Sequence, residues 1–299
     1  MSFSETFNQC QYSQVNSELK KLHEYISPAG DDEYVCDQKY YLPKDFNTFV
    51  NSNPITSEIK STLSCIHLNC RSISRNFDNL NSFVSSIDID PTAIGISETW
   101  LNDNSSLDLY KLDKYSFIAN SRKSRRGGGV GLYIKTNVKS VRRLDLDVNN
   151  SCIESIFSEI EVEHQQVLVG VVYRPPNQSI DEYLKSLNEL LQTVQNEKKV
   201  FYLMGDFNIN LLNVDKDQYV NEFLDTLLTF NMFPLIKYPT RVTQHSASLI
   251  DNIFTNDDNV HILSSGLFLS DISDHFPIYC ICDKSINDFK DIFFYSNEK

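Results

Sequence analysis

From Leu63 to Cys282 the chain alternates between short apolar segments with β-strand character and segments whose apolar residues recur at helical spacing. Strands are predicted over 64–69, 92–97, 130–134, 154–162, 166–173, 200–204, 249–254 and 276–282. Helices are predicted over 77–87, 183–194 and 219–228. Because short turns join some consecutive strands and helices join others, we predict a mixed α/β fold with two packed sheets and helices outside.

Residues 1–62 differ from the rest of the chain. Val15, Leu19, Leu22 and Ile26 would share one face of a short helix, and the polar residues that follow show little periodicity. The sequence therefore predicts a loosely ordered N-terminal extension over 1–62, one domain over 63–283 and a C-terminal tail over 284–299.

The composition indicates a globular protein inside the cell. Hydrophobic residues make up 41% of the 299 residues and charged residues 22%, which is enough apolar material for a large core. The apolar runs are shorter than a membrane span, and the first residues lack the pattern of a signal peptide. The seven cysteines are scattered without a CxxC pair, so reduced thiols are expected. We predict a nuclear or cytoplasmic protein.

The net charge of −13 argues against a protein that holds nucleic acid by bulk charge alone. A local basic patch would still allow an enzyme to act on nucleic acid. The densest positive cluster precedes the three glycines at 127–129 and contains Arg122, Lys123, Arg125 and Arg126. It is either a solvated loop or a surface for the nucleic-acid backbone.

Polar residues of the kind used in catalysis lie at the ends of several predicted strands. These residues are Asn69, Glu98, Tyr173, Arg174, Asp206, Asn208, Asp274 and His275. Asp251 lies inside an apolar strand, where a carboxylate is costly unless it is paired. If these strand ends meet on one rim, they form a pocket of carboxylates, amides, a phenol and an imidazole.

Such a pocket suits the hydrolysis of a phosphodiester. Glu98 offers the carboxylate that Mg²⁺ prefers, and Asp206 can orient or deprotonate a water molecule. The asparagines can hold phosphate oxygens or the water without adding negative charge. His275 can meet the phosphate as a cation if Asp251 pairs with it and raises its pKa.

Seven short motifs occur in an order that resembles the endonuclease/exonuclease/phosphatase superfamily, over residues 63 to about 283. They are His67-Leu68-Asn69, Ile96-Ser97-Glu98-Thr99-Trp100, residues 127–131, Tyr173-Arg174-Pro175-Pro176, Gly205-Asp206-Phe207-Asn208, Leu249-Ile250-Asp251 and Ser273-Asp274-His275. The resemblance implies a four-layered α/β sandwich, with two mixed β-sheets packed face to face and helices outside.

Within that superfamily the motifs resemble the endonuclease of LINE-type (non-LTR) retrotransposons. This implies that the protein nicks DNA with Mg²⁺, or with Mn²⁺, and that a reverse transcriptase from a longer polyprotein is its partner. The metal ligands implied are Glu98, Asn69 and Asp274. The catalytic residues implied are Asp206, Asn208, His275, Asp251, Tyr173 and Asn69. The expected DNA contacts are Arg122, Lys123, Arg125, Arg126 and Arg174.

The sequence departs from the family pattern in one residue of the site. DNA-repair members often have an acidic residue two positions after the first asparagine, where this chain has Arg71. No reverse transcriptase follows before Lys299, which suggests a fragment, a split gene product or a domesticated remnant. Two alternatives therefore stay open: a phosphatase or phospholipase of the same superfamily, and an inactive remnant that binds nucleic acid.

Overall fold

The computed structural model describes residues 9–26, 39–52, 62–122, 127–257 and 261–283. The helices in these ranges are α1 (Gln9–Ile26), α2 (Pro43–Ser52), α3 (Ile73–Ser86), α4 (Ile180–Asn196) and α5 (Gln218–Thr229). The first strands are β1 (Tyr40–Tyr41), β2 (Thr62–Asn69), β3 (Ala93–Ser97), β4 (Tyr115–Asn120), β5 (Val130–Lys135), β6 (Ser140–Arg142), β7 (Glu154–Val162) and β8 (Gln165–Tyr173). The others are β9 (Val200–Asp206), β10 (Phe233–Pro234), β11 (Arg241–Val242), β12 (Ala247–Ser248), β13 (Asp251–Thr255), β14 (His261–Phe268) and β15 (Ile278–Asp283).

Two large mixed sheets form the centre of the domain. Sheet 1 has the order β1-β14-β15-β2-β3-β5-β4, and sheet 2 has the order β10-β13-β9-β8-β7-β6. The pairs β1–β14, β2–β3 and β8–β9 are parallel, and the remaining pairs in both sheets are antiparallel. Strands β11 and β12 form a separate two-stranded ribbon.

Strand β2 shows how the sequence sets the two faces of sheet 1. Side chains alternate between faces along a strand. Leu63 and Cys65 belong to the core between the sheets, whereas Ile66 and Leu68 belong to the cluster under the outer helices. His67 and Asn69 continue the inner set, so the strand delivers Asn69 to the face that meets sheet 2.

Helices cover the outer faces of both sheets. Phe46 of α2 packs edge-on against Phe268 of β14 and Tyr279 of β15, with ring centroids 4.8 and 5.0 Å away. On the other side, Phe223 of α5 packs against Phe254 of β13 at 5.9 Å. The four-layered α/β sandwich is thus confirmed. None of the helices in the described ranges is long and apolar enough to span a membrane.

The described parts of the N-terminal extension pack more closely than the sequence predicts. Strand β1 pairs with β14, and Phe46 and Val50 of α2 are buried. Leu22 of α1 is also buried, and the Tyr25 hydroxyl donates to Asp225 at 2.8 Å. Helix α2 buries only two side chains, so its sequence does not show the repeated apolar spacing that predicts a helix. The domain boundaries at 62 and 283 stay a prediction.

Candidate active site

Three polar side chains lie side by side at one end of sheet 2. Tyr173 is the register partner of Asp206 in the parallel pair β8–β9, and Asp206 is the register partner of Asp251 in the antiparallel pair β9–β13. Residues directly opposite each other on neighbouring strands point to the same face. The sheet therefore brings the two carboxylates and the phenol together, as the sequence predicts for strand ends on one rim.

Asn69 connects this row to sheet 1. Its side-chain amide donates to Asp206 Oδ2 at 2.8 Å and to Glu98 Oε1 at 2.9 Å, and the residue is fully buried. Asn69 ends β2, and Glu98 directly follows the neighbouring strand β3. The amide thus lies between two carboxylates that belong to different sheets.

The backbone at Glu98 is held in an unusual conformation. Glu98 and Trp100 both have φ of +54°, in the left-handed region that side chains other than glycine rarely adopt. The amides of Thr99 and Trp100 donate to the carbonyls of Gly129 and Gly128, at 3.1 and 2.8 Å. The Trp100 indole N–H donates to Glu98 Oε2 at 3.0 Å. The glycine loop therefore helps fix a half-buried carboxylate in one orientation.

Those glycines are required by sterics. Gly129 has φ of +83°, and a Cβ there would lie 2.5 Å from the Thr99 hydroxyl. The three glycines, interpreted from the sequence as a flexible turn, thus form a close backbone contact beside Glu98.

His275 and Asp251 form a buried pair. His275 Nδ1 lies 2.9 Å from Asp251 Oδ2, which also accepts from the Thr240 hydroxyl at 2.7 Å. The side chains of His275 and Asp251 are only 6% and 1% exposed. The Ser273 hydroxyl donates to the carbonyl of Asn69 at 2.6 Å and so ties the Ser-Asp-His turn to the end of β2. The pairing expected from the sequence is present, and it engages Nδ1 of the ring.

The charges in this pocket oppose one another. Burial disfavours the imidazolium of His275, but the carboxylates of Asp251, Asp206 and Asp274 outweigh it and raise the pKa of His275 to about 9. Burial together with the negative charge of Asp251 raises the pKa of Asp206 to about 7. Despite burial, the positive charge and hydrogen bond of His275 hold the pKa of Asp251 below its usual value. At neutral pH the pocket thus combines a cationic imidazole with a carboxyl group near its titration midpoint.

A titration of the metal-free protein can test this arrangement. Because the charge and hydrogen bond of Asp251 are the main reasons for the raised pKa of His275, Asp251→Asn should lower that pKa, since burial is then opposed only by the smaller effects of Asp206 and Asp274. The measurement is the pH dependence of the His275 ring resonances in both proteins by NMR. His164, which is 96% exposed, provides the control titration in the same spectra. An unchanged midpoint for His275 would show that Asp251 does not control its charge.

The donor set fits a hard divalent cation. Glu98 and Asp206 offer carboxylate oxygens on either side of Asn69. Asp206, Asp251 and His275 could each supply one ligand atom, and these atoms lie within 4.8 Å of one another. Asp251 Oδ1 is buried and has no hydrogen-bond partner among the described residues. Neighbouring carboxylates with an unpaired buried oxygen favour a positive charge at this place.

Asn208 lies beside Asp206, as predicted, and is positioned by Arg174. The Asn208 backbone N–H donates to Asp206 Oδ1 at 3.1 Å, and its side-chain amide donates to the carbonyl of Arg174 at 2.8 Å. Arg174 is 3% exposed, and its guanidinium donates to the carbonyls of Asn208 and Gln178. The prediction that Arg174 contacts DNA is therefore not supported, because its buried guanidinium bonds the main chain of the segments at Asn208 and Gln178.

The predicted basic patch is only partly within the described residues. Arg122 is turned inward, with its side chain 16% exposed, and its Nε bonds to the buried carboxylate of Glu154. That carboxylate also accepts from the backbone N–H of Gly129. Arg122 thus neutralises a buried acid, which differs from the predicted contact with DNA. Lys123, Arg125 and Arg126 lie outside the described residues.

Asp274, which the sequence analysis predicts as a metal ligand, is paired with two arginines. Its Oδ1 accepts from Arg71 Nη1 at 2.8 Å, and its Oδ2 accepts from Arg241 Nη2 and Nε at 2.7 and 2.8 Å. Partial burial acts against ionisation, yet these bonds hold the pKa of Asp274 below its usual value. Both oxygens thus accept from guanidinium groups, and the role of Asp274 as a metal ligand stays a prediction.

The sequence analysis missed supporting residues around the His275–Asp251 pair. Thr240 bonds Asp251, and Arg241 bonds Asp274, but both belong to a short polar segment without a strand pattern. His67 is fully buried with Nδ1 4.0 Å from Asp251 Oδ1, and burial lowers its pKa to about 4, so its ring is neutral at physiological pH. Its place two residues before Asn69 on the inner face of β2 could have indicated it.

The whole constellation lies inside a segment that matches a known family. Residues 66–275 match the Endonuclease/Exonuclease/phosphatase family. The chain belongs to this family. Members hydrolyse phosphodiesters or phosphate monoesters, and the resemblance seen in the sequence is confirmed. No curated protein matches the chain by sequence.

Several solved structures share the fold at low sequence identity. The endonuclease domain of TRAS1, a telomere-specific non-LTR retrotransposon, superposes with a TM-score of 0.55 at 12% identity, covering 74% of this chain and 98% of that one. The AP endonuclease LMAP of Leishmania major gives 0.61 at 13% identity, covering 89% and 98%. The mannosyl-6-phosphatase Bt3783 of Bacteroides thetaiotaomicron gives 0.53 at 16% identity, covering 73% and 98%. The same fold thus carries endonucleases and a phosphatase.

Proposed function

We propose that this family member is a Mg²⁺-dependent endonuclease that nicks DNA by hydrolysing a phosphodiester. The observation that carries the proposal is the joined cluster in which Asn69 bridges Glu98 and Asp206 and the His275–Asp251 pair lies beside Asp206. A positively charged donor, a group able to take a proton, and carboxylates for a metal are what this hydrolysis needs in one place.

His275 and Asp206 have complementary roles in this proposal. The imidazolium of His275 donates a hydrogen bond to a phosphate oxygen and stabilises the negative charge that grows during the reaction. Asp206 has a pKa of about 7, so its ionised form can remove a proton from the attacking water near neutral pH. Asp251 keeps the imidazole charged and oriented through the bond at Nδ1.

Tyr173 and the metal ligands complete the arrangement. Burial and the negative charges of Glu98, Asp206 and Glu154 raise the pKa of Tyr173, so its hydroxyl remains a hydrogen-bond donor for the phosphate. Glu98 and Asn69 would hold Mg²⁺, with Mn²⁺ as the alternative, which leaves the Asp206 carboxyl to act on the water. A bound divalent ion supplies charge neutralisation at the phosphate and the leaving oxygen.

Sequence motifs favour DNA over a small phosphate ester as the substrate. The motifs Leu68-Asn69-Cys70-Arg71-Ser72 and Tyr173-Arg174-Pro175-Pro176 resemble LINE-type endonucleases beyond the catalytic residues of the superfamily. TRAS1 and LMAP are endonucleases with this fold. By the same resemblance, a reverse transcriptase would extend the 3′-hydroxyl that nicking leaves.

A phosphatase remains the second candidate, because Bt3783 shares the fold. An inactive remnant is disfavoured, since Asn69 bonds both Glu98 and Asp206 and the His275–Asp251 pair is formed.

A plasmid assay tests the proposal directly. The protein should convert supercoiled plasmid to the nicked form with Mg²⁺. EDTA should stop the reaction, because it removes the ion that neutralises the phosphate. Release of phosphate from small monoesters, measured in parallel, should be slower by orders of magnitude. Rapid phosphate release without nicking would favour the phosphatase, and neither activity would favour the remnant.

A further inference from the structure

Asp274 holds two arginines at the edge of the active site. Its two carboxylate oxygens accept from Arg71 on one side and from Arg241 on the other, at 2.7 to 2.8 Å. The arginine side chains are 51% and 43% exposed, whereas that of Asp274 is 30% exposed. We call these three residues the arginine clamp.

Each arginine is attached to a segment that carries a catalytic residue. Arg71 follows Asn69 by two positions, has φ of +43°, and donates its backbone N–H to Asn69 Oδ1 at 3.1 Å. Arg241 forms an isolated antiparallel bridge with His275. The neighbouring Thr240 bonds Asp251 through its hydroxyl. The two guanidinium groups are therefore fixed next to the place where a phosphodiester would be hydrolysed.

The clamp leaves positive charge and free donors toward solvent. Two guanidinium groups and one carboxylate carry a net charge of +1. Each guanidinium has five N–H donors in a planar fork. Asp274 engages Arg71 through Nη1 and Arg241 through Nε and Nη2, so other donors on both groups remain for an anion. Such forks match the geometry of phosphate oxygens.

Two other arginines near the site, among the residues that the structure describes, cannot take this role. Arg122 neutralises the buried Glu154, and Arg174 is buried against main-chain carbonyls. The protein as a whole has a net charge of −13, so its surface repels a polyanion unless positive charge is concentrated locally. Arg71 also replaces the acidic residue that DNA-repair members often have at this position.

We infer that the arginine clamp binds backbone phosphates of the DNA strand beside the phosphodiester that is hydrolysed. The inference rests on the proposed function, because it takes DNA as the substrate. Contacts to phosphates fix the position of a protein on DNA without reading the sequence. The clamp would thus place the strand while Asp274 keeps both guanidinium groups in position.

The test is DNA binding by the full chain in EDTA, where no cleavage occurs. Affinity for a fluorescently labelled duplex is measured by anisotropy between roughly 50 and 200 mM salt, the range in which phosphate contacts weaken strongly. Arg71→Gln and Arg241→Gln should each raise Kd about tenfold and reduce the salt slope by about 1, equally across DNA sequences.

Lys114→Gln is the matched control. Lys114 is 56% exposed and paired with Asp90 at 3.0 Å, and it lies at the end of sheet 1 opposite Asn69. This variant should bind like the wild type. If the arginine variants have the same Kd and salt slope as Lys114→Gln, the inference of the clamp is overturned. Should a glutamine variant fail to fold, Arg71→Lys and Arg241→Lys should keep the salt slope and raise Kd, and an unchanged Kd would overturn the inference.

The two proposals can fail separately. If the wild type nicks DNA but the arginine variants keep its affinity and salt slope, only the proposal of the clamp is rejected. If the wild type binds DNA and the arginine variants show the expected changes in salt slope, but the wild type never nicks DNA, the endonuclease proposal is rejected and the clamp is kept.

Discussion

Replacing His275 by alanine is expected to slow Mg²⁺-dependent nicking about a thousandfold while DNA binding stays nearly unchanged. The imidazolium stabilises charge that develops only in the transition state, so its loss should lower kcat and not substrate affinity. Single-turnover nicking rates and DNA affinity, measured separately, provide the test. His164→Ala removes a fully exposed histidine at the far end of sheet 2 and should leave both quantities unchanged.

The partner residue sharpens this test. Asp251→Asn should slow nicking less than His275→Ala, because the ring remains but loses the charge that keeps it protonated. The double variant should be slowed by less than the product of the two single effects, since the residues act as a unit. Strictly multiplicative effects would mean that the 2.9 Å contact has no catalytic role.

Glu98→Gln is the second change with a large expected effect, and it should abolish Mg²⁺-dependent nicking. The substitution keeps the size of the side chain and removes the negative charge on which a divalent ion depends. Glutamine retains one acceptor oxygen for the two donors, Asn69 and Trp100, so the free energy of unfolding should fall by only about 1 kcal/mol.

The measurement is the nicking rate as a function of Mg²⁺ concentration, together with Mg²⁺ binding by calorimetry. Glu161→Gln is the control, because Glu161 is also partly buried and hydrogen-bonded but lies at the opposite end of sheet 2. Wild-type nicking and Mg²⁺ affinity in Glu98→Gln would eliminate Glu98 as a metal ligand.

The strands and most of the site could be predicted because each signal is local. An apolar run that ends in Asn69 or Asp206 is visible in a few consecutive residues, and the structure places both at strand ends. Strand β14 was not predicted, because Ser264, Ser265 and Gly266 interrupt its apolar residues. In the fold those serines are buried and hydrogen-bonded to Tyr279 and Leu235, so tertiary contacts outweigh local propensity.

The partners of charged side chains could not be predicted, because they depend on distant segments. Asn69 and Asp206 are 137 positions apart, and no sequence period relates them. Arg122 and Arg174 look like surface charges in the sequence, yet the fold places a buried acid and main-chain carbonyls beside them. The pairing of Arg71 with Asp274 likewise joins residues 203 positions apart.

The position of β15 in sheet 1 has a consequence for how the domain assembles during synthesis. β15 is the last described strand in the sequence, yet it inserts between β14 and β2 in the interior of the sheet. Until it has left the ribosome, β2 lacks a neighbour on one side and the turn bearing His275 is not held by the strand that follows it. The candidate site can therefore assemble only after β15 has been synthesised and has inserted between β14 and β2.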